Sequence, residues 1–112
     1  MSRQEAVDLA VIQELKEVMG ADFPRLVVSF VKDGEQRLRA IQDGLAAADV
    51  EVVRQQAHSF KGSSGNLGAV RVSALCLEME SAARDGDLAV AASLFEPLKE
   101  AFESVCVRLK SL

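Results

Sequence analysis

The chain contains one histidine, His58, and the residues around it combine in an unusual way. They read Arg54, Ala57, His58, Ser59, Phe60, Lys61, Gly62, Ser63, Ser64, Gly65. Histidine has a reference pKa near 6.5, so its ring is mostly neutral at pH 7 and one ring nitrogen is a free nucleophile. Histidine is among the side chains that form covalent intermediates. Such a ring needs an acceptor on its second nitrogen to fix tautomer and orientation. Glu78 and Glu80, further along the chain, both offer one, and spacing alone does not choose between them.

The segment that carries His58 is itself a predicted helix, capped by Asp49 and running to about Leu67 before a break at Gly68. Its apolar stripe is Val50, Val53, Ala57, Phe60 and Leu67, with Ser64 in phase. With Ala57 at zero and ~100° per residue, the stripe centres near ~−30° and His58 falls at ~100°, at the rim or outside. Arg54 lies at ~60°, Lys61 at ~40°, Gly65 at ~80° and Gly62 at ~140°. The histidine is thus bordered by two cations and two glycines. Lys61 is expected to be solvated, to contribute little to folding, and to balance negative charge gathered at the ring.

Gly62-Ser63-Ser64-Gly65 is a run of poor helix formers, and each glycine costs about 1 kcal/mol against alanine. Either the helix stops near Lys61 with Gly62 as its cap, or it continues and the missing side chains admit another molecule to the imidazole.

Four more helices must hold this one. The first is predicted from about Gln4 to Met19, with Val7, Val11, Leu15 and Met19 (or Ile12) as its stripe and Gly20 as its stop. The second starts at Asp22 as N-cap, with Pro24 in its first turn. Its stripe of Leu26, Phe30, Leu38, Ile41 and Leu45 keeps phase across Gly34 and Gly44, so one long helix is expected. The fourth runs from about Val70 to Arg84 and ends at Asp85-Gly86-Asp87. The last segment, Leu88 to Leu112, carries apolar residues at three-four spacing, including Phe95, Leu98, Phe102, Val105, Leu109 and Leu112. Pro97 inside it either kinks the helix or marks a fresh start. Short connections between such helices favour antiparallel neighbours.

Composition agrees with an all-α fold. Of 112 residues 49% are hydrophobic, with no Tyr or Trp, only five Phe and only two prolines, so the core is expected to be built from Leu, Val, Ile, Ala and Met. The length fits one domain spanning 1–112. Net charge is −4, and without a basic stripe nucleic acid is not expected as a partner. Cys76 and Cys106 sit among apolar residues and are expected to be buried and reduced; with one histidine and no CxxC pair, no zinc site is expected. The N-terminus lacks the apolar run of a signal peptide, and no stretch approaches ~18 apolar residues, so a cytoplasmic protein without membrane contact is expected.

From Ala57 to Ala69 the chain resembles the signature of histidine-containing phosphotransfer (HPt) domains, A-H-x-[L/F]-K-G-[S/A]-[S/A]-x-x-[L/I]-G-A, and every fixed position is met. The segment from Leu75 to Glu80, with Ala83 and Arg84, resembles the family's next helix, and residues from about Asp8 to Leu109 fall within the likeness. The resemblance implies an antiparallel four-helix bundle with an additional N-terminal helix. It implies that His58 takes a phosphoryl group from an aspartate of one receiver domain, in a hybrid sensor histidine kinase, and passes it to an aspartate of a response regulator. Lys61 matches the family's phosphoryl-facing lysine, Gly62 the glycine that admits the receiver, and Glu80 the position that bonds the ring. On this reading Lys61, Glu80 and Arg54 support the phosphoryl site, while Gly62, Gly65, Ser59 and Gln55 form the docking surface. No cofactor is expected on this chain, since the Mg²⁺ of phosphoryl transfer belongs to the receiver. GSSG lacks the Gly-Lys-Ser/Thr ending of a P-loop, so a monomeric phosphocarrier is expected and not a kinase. Two rival readings use the same residues: a helical adaptor without phosphoryl chemistry, and an enzyme with His58 as base. Against the second, no Ser/Asp partner stands at suggestive spacing.

Overall fold

The computed structural model describes residues 6–112. Among them are six α-helices: α1 (Leu9–Met19), α2 (Phe23–Ala46), α3 (Val50–Leu67), α4 (Val70–Arg84), α5 (Leu88–Ser93) and α6 (Phe95–Lys110). The four long helices α2, α3, α4 and α6 form the bundle, and α1 is the additional N-terminal helix.

The ends of α3 form for the reasons its sequence suggests. The Asp49 carboxylate accepts from the Val52 amide at 3.2 Å, an N-cap. At the other end Gly68 adopts a left-handed φ of +82° and turns the chain into α4 within two residues. The Asp8 amide donates to the Gly68 carbonyl at 2.7 Å, which seats the start of α1 on this turn.

Helix α1 departs from expectation at its start. Residues 4 and 5 lie outside the described residues, and the helix begins at Leu9, with Asp8 as N-cap to the Ala10 amide. Val7 is fully buried, but from the segment ahead of the helix; within α1 only Ile12 is buried. Asp22 precedes α2 as expected, but its side chain makes no capping bond. It sits in a short 3₁₀ turn (Gly20–Asp22) and pairs loosely with Arg25 at 3.9 Å, both exposed.

Helix α2 runs unbroken through both of its glycines because each is a point of close approach. A Cβ at Gly34 would stand 2.2 Å from Phe102 Cε1, and one at Gly44 would stand 2.9 Å from Val52 Cγ1. The Phe102 ring therefore lies against the α2 backbone, where it also meets Phe30 and Phe60 at centroid distances of 5.7 and 5.6 Å. This cluster fastens α6 and α2 to the part of α3 that carries His58.

Of the two outcomes open for Pro97, the structure takes the fresh start. The chain breaks at Leu94, and Pro97 lies in the first turn of α6, where a missing N–H costs nothing. Leu112, counted with the last stripe, is exposed, and its carbonyl accepts from the Lys16 ammonium at 3.3 Å. No helix among the described residues is long and apolar enough to cross a membrane.

Candidate functional site: His58 on the α3–α4 seam

Helix α3 continues through Gly62-Ser63-Ser64-Gly65 to Leu67 and does not stop at Lys61. Its apolar positions Val53, Ala57, Phe60 and Leu67 are buried, together with Ser64. That fixes the rotation of the helix, and the His58 side chain emerges 63% exposed.

Glu80 alone of the two acidic candidates reaches the ring. Glu78 is exposed, two residues and ~200° around the helix from Glu80. Glu80 is 7% exposed and lies on the α3-facing side of α4. One carboxylate oxygen, Oε2, is 2.8 Å from His58 Nδ1, and the other, Oε1, accepts from Lys61 Nζ at 2.7 Å. The Lys61 hydrogen bond is the main reason the Glu80 carboxyl is held below the usual carboxylate range, with the His58 bond acting the same way and burial opposing both. An ionised carboxylate at Nδ1 favours the tautomer that keeps its proton there and leaves the lone pair on Nε2.

Lys61 is accordingly not the solvated residue expected. Its side chain is 29% exposed and bound to a carboxylate only 10% exposed, so it takes part in the α3–α4 interface. Arg54 is drawn elsewhere: its guanidinium meets both oxygens of Glu51, Nε at 3.1 Å and Nη2 in a shorter contact, and Gln55 Nε2 donates to the same carboxylate at 3.1 Å. This pair holds the Glu51 carboxyl low and the Arg54 guanidinium high. The acid at position 51, three residues ahead of Arg54, is the signal in the sequence that pointed to this pairing.

Ser59, Gly62 and Gly65 are exposed beside His58. A Cβ at Gly62 would meet nothing within 4 Å, so the glycine leaves open space at the surface. At Gly65 the same atom would stand 3.5 Å from Ser73 Oγ. Ser73, which the sequence reading did not single out, donates from α4 to the Lys61 carbonyl at 3.2 Å. Cys76 is free and fully buried near this seam, and burial pushes its thiol up to about 12, with the Glu80 charge acting in the same direction. Cys106 is free but only half-buried.

The site is thus a single exposed imidazole, oriented through Nδ1 by a buried carboxylate that a lysine neutralises, on a helix face cleared by glycine. Comparison with known proteins leads to the same place. Residues 25–108 match the model of the Hpt domain. The structure is similar to that of histidine-containing phosphotransfer protein B (HptB) from Pseudomonas aeruginosa PAO1, with 39% identity, a TM-score of 0.94, and coverage of 97% of this chain and 95% of that one. It shares its fold with the histidine-containing phosphotransfer protein ZmHP2 from maize, at 21% identity and a TM-score of 0.79, over 95% of this chain and 81% of that one. No curated protein sequence matches. With three quarters of its length inside the family model and this architecture around its one histidine, the chain belongs to the family of Hpt domain, histidine-containing phosphotransfer proteins.

Proposed function

We propose that His58 is the phosphoryl carrier and that Nε2 is the atom that bears the group. The observation that carries this reading is the Glu80 carboxylate at 2.8 Å from Nδ1. It favours a proton on Nδ1 and leaves the nucleophilic lone pair on Nε2. When Nε2 attacks an aspartyl phosphate, an N–P bond forms, the P–O bond breaks, and the aspartate leaves as a carboxylate. The ring, which keeps its Nδ1 proton, then carries positive charge. Glu80 stabilises that charge as it develops and, in the reverse direction, holds the proton on Nδ1 while the ring leaves phosphorus. Lys61 exchanges Glu80 for a phosphoryl oxygen when the group arrives, and Arg54 adds positive charge on the same helix.

The donor and acceptor are receiver domains, one on a hybrid sensor histidine kinase and one on a response regulator. They dock over Gly62, Gly65, Ser59 and Gln55. The Mg²⁺ of the transfer is supplied by the receiver, and this chain acts as a monomeric cytoplasmic carrier with no autonomous catalysis. Incubation with a panel of phosphorylated receiver domains tests the reading: some should transfer an acid-labile, base-stable label to this chain. A chain that binds receivers and never takes label would be an adaptor.

A further inference from the structure

Three side-chain hydrogen bonds join α3 to α4 among the described residues. Two end on Glu80, from His58 and Lys61; the third runs from Ser73 Oγ to the Lys61 carbonyl at 3.2 Å. Ser73 and Glu80 are seven residues apart, two helical turns, and so lie on one face of α4. All three bonds meet α3 between His58 and Lys61.

From this we infer that Ser73 is a positioning residue for the phosphoryl site. Its hydroxyl fixes the register of α4 against Lys61, so that Glu80 arrives level with both His58 and Lys61. The inference rests on the reading of His58 as the carrier.

The geometry gives the bond its leverage. The Lys61 carbonyl has a second lone pair beyond the one its own helix uses. Ser73 reaches it past Gly65, one turn on, where an added Cβ would stand in ordinary van der Waals contact with Ser73 Oγ at 3.5 Å. A slip of α4 along α3 would lengthen the Ser73 bond and both Glu80 bonds together. A reactive constellation has to be held to within about 0.5 Å by bonds of this supporting kind. The Glu80 carboxylate bonds only His58 and Lys61 among the described residues, so its level along α3 follows from how α4 is seated, and Ser73 ties that seating to the Lys61 backbone.

The experiment compares Ser73→Ala, Ser73→Cys and Ser73→Thr with the parent in two readouts. One is the rate of transfer from a phosphorylated receiver domain; the other is the ¹⁵N–¹H signal of the His58 ring Nδ1 in the unphosphorylated protein. Ala removes the donor, and Cys fills the space with a poor one. Both should slow transfer by about 3- to 10-fold, the span of one lost neutral hydrogen bond. Both should also shift or broaden the Nδ1–H signal, while Thr, which keeps the hydroxyl, restores rate and signal. Parental rates and an unchanged ring signal in Ala and Cys would overturn the inference. So would slower transfer with an unchanged ring signal, since Ser73 would then act elsewhere. If the parent takes no label from any receiver, the carrier reading fails, and the ring signal still decides whether Ser73 positions Glu80 against His58.

Discussion

Glu80 spans the two residues that define the site, receiving Lys61 Nζ on one oxygen at 2.7 Å and facing His58 Nδ1 with the other at 2.8 Å. On the proposed function, this single buried carboxylate orients the nucleophile and holds in reserve the cation that a phosphoryl group would need. Glu80→Gln keeps the size but loses the charge, and its amide NH₂ must face either Lys61 or the ring. Transfer should fall by about 10-fold, near the lower end of what a charge-assisted hydrogen bond contributes.

The same carboxyl makes stability depend on pH. Its folded-state pKa is lowered, chiefly by Lys61. Its contribution is therefore complete at neutral pH and is lost as pH falls from the ordinary Glu value of about 4.3 through the lower folded value. Denaturant melts of the parent and Glu80→Gln should differ most at pH 7 and converge towards pH 3. A gap that stays constant over that range would mean the carboxylate is not stabilised by its partners.

Lys61→Ala should slow transfer and also cost about 1 kcal/mol of stability, because it strips a hydrogen-bond donor from a nearly buried carboxylate. A freely solvated lysine would cost almost nothing. Lys61→Arg keeps the charge with a different shape and should be partly active. Melts and transfer rates measured on the three proteins decide this; parental values of both in Lys61→Ala would remove Lys61 from the site.

Gly62→Gln tests the open face. No atom lies within 4 Å of the new Cβ, so the variant should gain roughly 0.5–1 kcal/mol from helix propensity. Transfer should nevertheless fall, because a side chain now stands where a receiver must approach. A variant that is less stable and fully active would assign Gly62 a different role.

Gly34→Ala separates packing from function. Its Cβ would collide with the Phe102 ring at 2.2 Å, and such overpacking costs about 1–3 kcal/mol. The melt should drop while transfer per folded molecule holds. An unchanged melt would show that Phe102 yields freely and that α2 needs no glycine there.

The boundaries of α3 and α4 were legible because each has a chemical reason in the sequence: a capping aspartate at 49, a left-handed glycine at 68, and the turn residues Asp85-Gly86-Asp87. The start of α1 was not, since Val7 keeps the spacing of a helical stripe while packing into the core from outside the helix. Pro97 left two outcomes open because a first-turn proline and a kinking proline look alike in sequence. At the site, helical phase alone put His58 at the rim. The partners of that histidine come from α4, and which acid or hydroxyl of α4 meets α3 depends on how two helices register. That is why helical spacing does not separate Glu80 from Glu78, which only the resemblance does, and why nothing in the sequence marks Ser73. Arg54 shows the complement: its phase towards His58 is legible in the helix, and its pairing with the acid three residues before it is a further local contact that the phase does not display.

The central claim is that His58 carries the phosphoryl group, and one measurement meets it directly. The parent and His58→Gln are incubated with the same phosphorylated receiver domain, quenched in alkali, and the label on each is quantified. The parent should take up acid-labile, base-stable label and His58→Gln none, with the helical content of the two proteins equal by circular dichroism. Equal labelling of the two would contradict the account, because His58 is the chain's one histidine and the phosphoryl group would have to reside on another kind of side chain.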